Sequence, residues 1–520
     1  MDPDDFRTAF IPDQAPRLTR RRLLRGLGVG LAGLSIAPIV AACGGSAATA
    51  TPPPATKATS TSSSSSSSTA AAATSSSASS SSSAATSQAS GGAASGSTSA
   101  ASSSAASSSA SSSAGAAYTP PAISTGNHSL TFLMWSHFVP AYDDYFDKYA
   151  KDWGTKNKVN VTVDHIPTNT IFQRSSAEVA AGTGHDLTLL ENPPDTYIFA
   201  DKLNDLTKLA DYLGATYGGW LDIAKSAGLV KDTWRGIPDF YIPFPGLYRT
   251  DYFKDAGVNA FDKWSDMIDG GKKLKDKGHQ MGFAISATGD SNSSLFGILW
   301  GYGAAVTAKD GKTITINSPE TKAAIEDVVK IYQSAMTSEV LSWDDSSNNR
   351  LLASGVGSFI LNPISAYRSA PPEIQAQTAV SICPAGPKGR VMRVPTRTWV
   401  NWKWTKDQAV AEKFLYDYFA QWMDGFKAST GYDNPTLKAF EKKPMPILGE
   451  DPKLNILQDL GQYAAADGYP GPSTAAASQV VNTYVIPNMF AKACTGSTTD
   501  QAIAFAEEQI TSIYQKNPVQ

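Results

Sequence analysis

Carboxylate, amide and aromatic side chains lie in the loops that follow several predicted strands. The candidates in the amino-terminal half of the chain are Trp135, His137, Phe138, Glu191, Asn192, Asp239, Phe240 and Tyr241. Those further along are Ser291, Asn292, Trp300, Trp399, Asn401 and Trp402. Aromatic rings pack against C–H faces, while carboxylates and amides form hydrogen bonds with hydroxyl groups. The set favours a binding site for a small polyhydroxylated solute, and a carbohydrate fits this description best.

Residue spacing limits how many of these side chains share one site. Trp399 and Asn401 are two residues apart, so a strand places them on one face and Trp402 with Trp404 on the other. Only one of these two sets is expected to reach a solute. Each aromatic residue has the alternative of a place in the core, and Glu191 has the alternative of a cap or an exposed loop carboxylate.

No motif in the sequence indicates catalysis, a cofactor or a metal. The chain contains no G-x-S-x-G elbow or glycine-rich phosphate loop, and its five histidines follow no metal-binding spacing. We therefore predict a protein that is not an enzyme, with no catalytic residues, no cofactor and no metal. A secreted carbohydrate-active hydrolase remains an alternative, because its two carboxylates need no fixed sequence spacing. A non-catalytic surface scaffold is a second alternative.

Hydrophobic periodicity predicts an α/β fold that positions the candidates. Strands are predicted at 130–135, 159–166 and 186–191, with helices at 142–153 and 172–181 between them. This β-α-β-α-β order is typical of a parallel sheet, in which ligands bind beyond the carboxyl ends of the strands. Prolines in the extended segment 236–248 favour a crossover over a central strand. The part from 128 to 520 exceeds what one core usually supports, so two lobes are expected.

The amino-terminal region has the pattern of an export signal. Arginines, including Arg20 and Arg21, precede an apolar run of 17 residues at 26–42, which as a helix is roughly 25 Å long and short for a membrane span. The arginines resemble a twin-arginine motif, and Val40 to Cys43 resembles a lipobox. The resemblance implies a signal peptide at 1–42 and lipidation of Cys43. Residues 44–117 are almost entirely Ser, Ala, Thr and Gly, so 43–127 is predicted to be a lipidated tether.

Charge and cysteine content narrow the partners. The formal net charge of -3 offers no basic surface for nucleic acid, and the membrane is expected to be contacted through the lipid alone. Cys383 and Cys494 are far apart in sequence and are predicted to be separate thiols, although export would permit a disulfide.

Several segments, in order, resemble family 1 extracellular solute-binding proteins of ABC importers, the group that includes maltose-binding proteins. They are Leu130 to Trp135, Glu178 to Leu187, Gly236 to Pro238, Leu247 to Gly257, Pro384 to Gly389, and Ile486-Pro487 with Thr495 to Ala502. The chain departs from the family pattern at His185, where proline is usual, and at Arg249-Thr250.

The resemblance implies a two-lobed α/β fold of the periplasmic-binding-protein type II class with a hinge between the lobes. Lobe 1 is expected at about 128–240 and 379–431, and lobe 2 at about 241–378 and 432–520. The implied function is capture of a small solute between the lobes and its delivery to an ABC permease. A mono- or oligosaccharide is the expected solute, and polyamines, metals and phosphorylated compounds are alternatives that related proteins bind. The protein is expected to be a monomer outside the cytoplasm, anchored by lipid to the cell membrane.

Overall fold

The computed structural model describes residues 118–519. The predicted export signal with Arg20 and Arg21, the predicted lipidation site Cys43 and the tether up to residue 117 lie outside the described residues. Within residues 118–519, no helix combines the length and the apolar character needed to cross a membrane.

The described chain alternates strands and helices. The strands are β1 (His128–Trp135), β2 (Val159–Ile166), β3 (Leu187–Leu190), β4 (Leu229–Val230), β5 (Thr233–Trp234), β6 (Ile237–Tyr241), β7 (Gly246–Arg249), β8 (Phe359–Leu361), β9 (Thr378–Ser381), β10 (Met392–Arg393), β11 (Thr396–Asn401), β12 (Asn434–Pro435) and β13 (Ala464–Ala465).

The α-helices are α1 (Pro140–Asn157), α2 (Ile171–Ala181), α3 (Asp195–Ile198), α4 (Thr207–Thr216), α5 (Asp222–Gly228), α6 (Thr250–Asp255), α7 (Asp266–Asp276), α8 (Gly289–Gly301), α9 (Pro319–Ala335), α10 (Ser347–Ala353), α11 (Ser365–Ser369), α12 (Pro372–Gln377), α13 (Gln408–Phe419), α14 (Trp422–Ala428), α15 (Ala475–Asn482), α16 (Val485–Cys494) and α17 (Thr499–Lys516). At α9, the Ser318 hydroxyl accepts a hydrogen bond from the Thr321 amide at 3.2 Å, with Pro319 and Glu320 in the first turn, which is the start that the sequence predicts.

A six-stranded mixed sheet organises the first half of the fold, in the order β12-β6-β11-β3-β1-β2. β1 is parallel to β2 and β3, as the β-α-β-α-β pattern predicts. β11 is antiparallel to β3 and β6, and β12 is antiparallel to β6. The carboxyl ends of β1, β3 and β6 therefore share one sheet edge with the amino ends of β11 and β12.

A three-stranded antiparallel sheet, β8-β7-β9, forms the second half together with its surrounding helices. Residues 242–245 connect β6 of the first sheet to β7 of the second, and this stretch holds two of the prolines that predict a crossover. The return connection passes through β10, which pairs in parallel with β13. These two segments connect the two sheets.

Two large hydrophobic cores correspond to the two sheets. The first core is built from buried side chains between Leu130 and Leu460, and the second from a different set between Phe253 and Tyr514. The segment 434–460, which the sequence analysis assigns to lobe 2, contributes Leu437, Leu448 and Leu457 to the first core. It packs there because β12 pairs with β6. Cys383 and Cys494 are free thiols, one in the first core and one against the second.

Candidate functional site

Asp239 and its neighbours on β6 lie inside the first core. The Asp239 carboxylate accepts hydrogen bonds from the indole N–H groups of Trp399 and Trp422, both at 2.8 Å, and from the Tyr418 hydroxyl at 3.0 Å. Burial, reinforced by the nearby charge of Asp433, raises the pKa of Asp239 to about 7. The adjacent candidates Phe240 and Tyr241 are buried in the same core. The polar atoms of Asp239 and Trp399 are therefore bonded within the core.

Asn401 and Trp402 also have partners inside the first half of the fold. The Trp402 indole N–H donates to the Thr188 hydroxyl at 2.9 Å, and its ring stacks on Trp404 with centroids 4.7 Å apart. The Asn401 amide donates to the Asp186 carbonyl at 3.2 Å. Trp399 and Trp402 belong to separate apolar clusters, as their spacing predicts for opposite faces of a strand.

The shared sheet edge brings together Trp135, Glu191, Arg397, Tyr432 and Asp433, here called the edge cluster. Trp135 ends β1, Glu191 follows β3, Arg397 lies at the start of β11, and Tyr432 and Asp433 precede β12. All five side chains are buried. The topology of the sheet, through the antiparallel strands β11 and β12, makes these distant residues neighbours.

Glu191 and Arg397 form the charged centre of the edge cluster. An Arg397 guanidinium nitrogen lies 2.9 Å from Glu191 Oε2 and also donates to the Glu191 carbonyl at 2.6 Å. The Thr168 hydroxyl donates to Oε2 as well. Burial raises the pKa of Glu191 to about 7, although the charge of Arg397 acts in the opposite direction. The guanidinium carbon of Arg397 lies 4.9 Å from the centre of the Trp135 ring, which completes a cation–π contact.

His137 and Phe138 support the edge cluster from behind Trp135. The His137 ring is buried, with Nε2 3.2 Å from Asp433 Oδ1 and Nδ1 accepting the Val139 amide at 2.8 Å. The Phe138 ring packs against Trp135 with centroids 5.2 Å apart. Both residues therefore hold the cluster in place.

Four buried polar atoms of the edge cluster have no hydrogen-bond partner within the described residues. They are Trp135 Nε1, Glu191 Oε1, Arg397 Nε and Asp433 Oδ2. Two are donors and two are acceptors. Buried polar groups are almost always paired in folded proteins, so a group of four unpartnered atoms in one cluster is unusual.

The second half of the fold contributes the start of α8. The Thr288 hydroxyl caps this helix by accepting the Ser291 amide at 3.2 Å, and the Ser291 hydroxyl accepts the Ser286 amide at 3.0 Å. Asn292 donates to the Val481 carbonyl at 3.1 Å, while its Oδ1 is buried and has no partner among the described residues. Ser291 thus stabilises the start of the helix, and Asn292 has one buried acceptor atom, Oδ1, without a partner among the described residues.

Asp290 and Asp345, here called the acidic pair, lie at the same helix start. The Asp290 amide donates to Asp345 Oδ1 at 2.9 Å, and the Asn348 amide donates to Asp290 Oδ2 at 2.7 Å. Burial and the charge of Asp345 raise the pKa of Asp290 well above its usual value. The pKa of Glu191 is raised by Asp345 in addition to burial, so the acidic pair lies within electrostatic reach of the edge cluster.

Direct hydrogen bonds join the two halves of the fold through Asp195 and Asn192, which follow Glu191 in the chain. Asp195 Oδ1 accepts the Ser478 hydroxyl at 2.6 Å and the Asn482 amide at 2.7 Å. Asn192 donates to Asn482 Oδ1 at 3.3 Å and accepts from Arg393 at 2.8 Å. Asn192 therefore belongs to the contact between the halves.

Arg393 on β10 links the connecting segments to this contact. Its guanidinium forms a bidentate ion pair with Asp467, at 2.6 and 2.9 Å, and donates to the Ser293 hydroxyl of α8 at 3.1 Å. Arg393 and Asp467 are each 1% exposed, so their charges are paired away from water.

Trp300 lies at the far end of α8 from Asp290, Ser291 and Asn292. It is ten residues after Asp290 on α8, or roughly 15 Å along the helix axis. Its ring packs against Phe296 and Tyr469 and lines a cavity of about 10 Å³. That space is too small for a sugar ring, so the structure does not bring Trp300 to the other candidates.

Arg397 and Tyr484 are site residues that the sequence analysis missed. Arg397 becomes a neighbour of Glu191 only through the antiparallel pairing of β11 with β3. Tyr484 joins α15 to α16 with a left-handed backbone, at φ 55°, which is uncommon for a residue with a side chain. Burial and the charges of Asp345 and Glu191 raise its pKa to about 12, so its ring lies near both halves of the site.

Comparison with known proteins gives one family match. A family profile described as bacterial extracellular solute-binding protein matches residues 144–443. A search of curated proteins finds no match.

Solved structures with a similar fold include a sugar transporter from Arthrobacter chlorophenolicus A6 with bound laminaribiose, at TM-score 0.66 and 18% identity, covering 74% of this chain and 99% of that one. Maltose-bound T. maritima MalE3 has TM-score 0.65 and 20% identity, covering 75% and 100%. An ABC transporter solute-binding protein from Thermotoga lettingae TMO with bound α-D-tagatose has TM-score 0.65 and 18% identity, covering 74% and 99%.

Proposed function

The chain belongs to the bacterial extracellular solute-binding protein family, and on that premise we propose that the edge cluster binds a carbohydrate between the two lobes. The resemblance in sequence motifs and the predicted two-lobed fold are both confirmed by the family match and the similar structures.

The four unpartnered atoms of the edge cluster carry this proposal. A sugar hydroxyl both donates and accepts hydrogen bonds, so one ligand can satisfy the donors Trp135 Nε1 and Arg397 Nε together with the acceptors Glu191 Oε1 and Asp433 Oδ2. Laminaribiose, maltose and tagatose in the similar structures support a saccharide as the solute. The side chain of Tyr484 adds an aromatic surface for a C–H face.

Binding of a solute between the lobes requires a hinge. We propose that the hinge lies in the two connections between the sheets, which are residues 242–245 and the segment through β10. Lobe 1 then comprises the six-stranded sheet with segment 434–460, and lobe 2 comprises the three-stranded sheet with α8, α15 and α16. The bonds from Asp195 to Ser478 and Asn482 stabilise the closed form, because they join the lobes only while these face each other.

A thermal-shift screen followed by calorimetric titration tests the proposal. The panel contains maltose, laminaribiose and tagatose. A ligand at one hundred times its dissociation constant stabilises the folded protein by about 2.7 kcal/mol, which is readily detected. Chromatography of the recovered ligand is expected to show it unchanged, because a binding protein does not hydrolyse its solute.

Glu191→Gln is the test variant for the site, with Glu373→Gln on an exposed helix as the matched control. A lost hydrogen bond to a charged group is worth about 1.5–3 kcal/mol, so Glu191→Gln is expected to weaken affinity about 10- to 100-fold. Glu373→Gln is expected to leave it unchanged. Equal affinity in both variants would remove Glu191 from the site.

The anchor and the permease form a separate part of the proposal. We propose that lipidated Cys43 and the tether hold the receptor outside the cytoplasmic membrane near an ABC permease, to which the closed form delivers the solute as a monomer. Supporting this are the lipobox-like sequence and the extracellular nature of the family. Cys43→Ser is expected to release the protein from the membrane fraction; retention there would contradict lipidation at Cys43.

A further inference from the structure

His137 is a buried histidine that contacts two members of the edge cluster. It follows β1 in the chain, and its Nε2 lies 3.2 Å from Asp433 Oδ1. The centroid of its imidazole lies 4.7 Å from that of the Trp135 ring. The ring centroids of Tyr142 and Tyr432 lie 4.6 and 4.9 Å from the imidazole centroid. Because three rings pack against the imidazole, the direction of each ring nitrogen is fixed.

The contacts of Nδ1 determine which nitrogen of His137 carries the proton. Nδ1 accepts the Val139 amide at 2.8 Å, a contact shorter than the 3.1 Å that separates Nδ1 from the Val139 carbonyl oxygen. A proton on Nδ1 would face the amide proton of Val139 at this short distance. The neutral ring therefore carries its proton on Nε2, and this N–H donates to Asp433 Oδ1.

The bond from His137 gives the two oxygens of Asp433 different surroundings. Oδ1 accepts from the imidazole, whereas Oδ2 is buried and has no partner among the described residues. The Asp433 amide donates to Ser429 Oγ at 3.2 Å, which holds the backbone of the same residue. Because Asp433 is 1% exposed, rotation of its carboxylate would break a hydrogen bond that water cannot readily replace. Oδ2 is therefore kept in one place as an acceptor.

We propose that His137 is a positioning residue for solute binding, which fixes Asp433 Oδ2 as the acceptor for a hydroxyl group of the saccharide. This inference rests on the proposed function, because that function assigns the hydroxyl groups of the solute to the edge cluster. Both nitrogens of the imidazole are already bonded, Nδ1 to Val139 and Nε2 to Asp433. His137 therefore does not bind the solute itself and acts on it through Asp433.

Two substitutions separate this role from a local structural one. The amide oxygen of His137→Asn takes the place of Nδ1 and still accepts the Val139 amide, but this shorter side chain has no donor that reaches Asp433. The amide nitrogen of His137→Gln takes the place of Nε2 and still donates to Asp433, but this variant has no acceptor for the Val139 amide. Each variant therefore keeps one of the two hydrogen bonds of the histidine.

Calorimetric titration with maltose, laminaribiose and tagatose compares these variants with the wild type. We expect His137→Asn to weaken saccharide affinity at least tenfold and His137→Gln to weaken it less than threefold, because only the second variant holds the Asp433 carboxylate. His128→Asn is the matched control, since His128 pairs with Asp407 at the opposite end of β1, and it is expected to change affinity less than twofold. Equal losses in the two His137 variants, or a larger loss in His137→Gln, overturn the proposal and leave the proposed function intact.

The imidazole signals of the wild-type protein test the same assignment without a solute. In a ¹⁵N–¹H spectrum of the histidine side chains at neutral pH, the signals of His137 are identified by their absence in His137→Gln. We expect a protonated Nε2 and an unprotonated Nδ1. The opposite tautomer, or a ring protonated at both nitrogens, overturns the proposal. If the wild type binds none of the three saccharides, the proposed function is overturned and this inference with it.

Discussion

Asp239→Asn is expected to remove a pH dependence from the stability of the protein. Asp239 is fully buried, and its pKa is raised from 3.8 to about 7 by burial and by the charge of Asp433. The folded state holds this proton more tightly than the unfolded chain does. Its contribution to stability is therefore complete below pH 3.8 and is lost as the pH rises towards 7.

The magnitude follows from the two pKa values. Between pH 5 and pH 8 the unfolded carboxyl is ionised throughout, whereas the folded carboxyl becomes ionised only near 7. Integration gives about 2.6 kcal/mol of stability lost from the wild type over this range, at about 1.36 kcal/mol per pKa unit. An amide cannot ionise, so the stability of Asp239→Asn does not have this dependence on pH. It also provides a single acceptor oxygen for the indole donors, which costs about 1–3 kcal/mol at every pH.

Denaturant unfolding at pH 5 and pH 8 measures this difference. The stability gap between the wild type and Asp239→Asn is expected to narrow by about 2.6 kcal/mol from pH 5 to pH 8. Asp424→Asn, an exposed carboxylate paired with Lys427, serves as the control with a constant gap. A constant gap for Asp239→Asn would refute the reasoning, as would a tenfold loss of solute affinity in the folded variant.

Three other substitutions test the contacts around the site. Asp467→Asn leaves the buried charge of Arg393 without its partner and is expected to cost about 3–5 kcal/mol in denaturant unfolding; a loss under 1 kcal/mol would contradict this. Ser478→Ala removes a bond from lobe 2 to Asp195 and should weaken saccharide affinity about fivefold, because a bond worth about 1 kcal/mol is lost from the closed form, whereas unchanged affinity would argue against its role in closure. Trp402→Phe should lower stability by about 1 kcal/mol through its lost indole bond and change saccharide affinity less than twofold in calorimetric titration; a tenfold loss would place its ring in the site.

Much of the fold is predictable from local sequence pattern. The apolar run ending at Trp135, the strand at 159–166 and the prolines of the crossover each correspond to an observed element. These features depend on periodicity and on the geometry of proline, which act over a few residues. The position of segment 434–460 depends instead on the pairing of β12 with β6, for which no local signal exists.

The candidate site was less accessible from the sequence. Glu191 could be placed because it follows a strand of a parallel sheet. Arg397 could not, because it reaches Glu191 only through an antiparallel strand more than 200 residues later. Asp239 has the residue type of a ligand-binding group, and only the contacts with Trp399 and Trp422 show that it stabilises the core.

The indole N–H signals of the tryptophans provide the most direct test of the central claim. In a ¹⁵N–¹H spectrum, the signal of Trp135 is identified by its absence in Trp135→Phe, and maltose or the tightest saccharide of the panel is then added. We expect the largest shift for Trp135, whose Nε1 has no partner among the described residues. Little change is expected for Trp399 and Trp422, which are bonded to Asp239. An unchanged Trp135 signal at saturating saccharide, with large shifts at Trp399 or Trp422, would contradict the account.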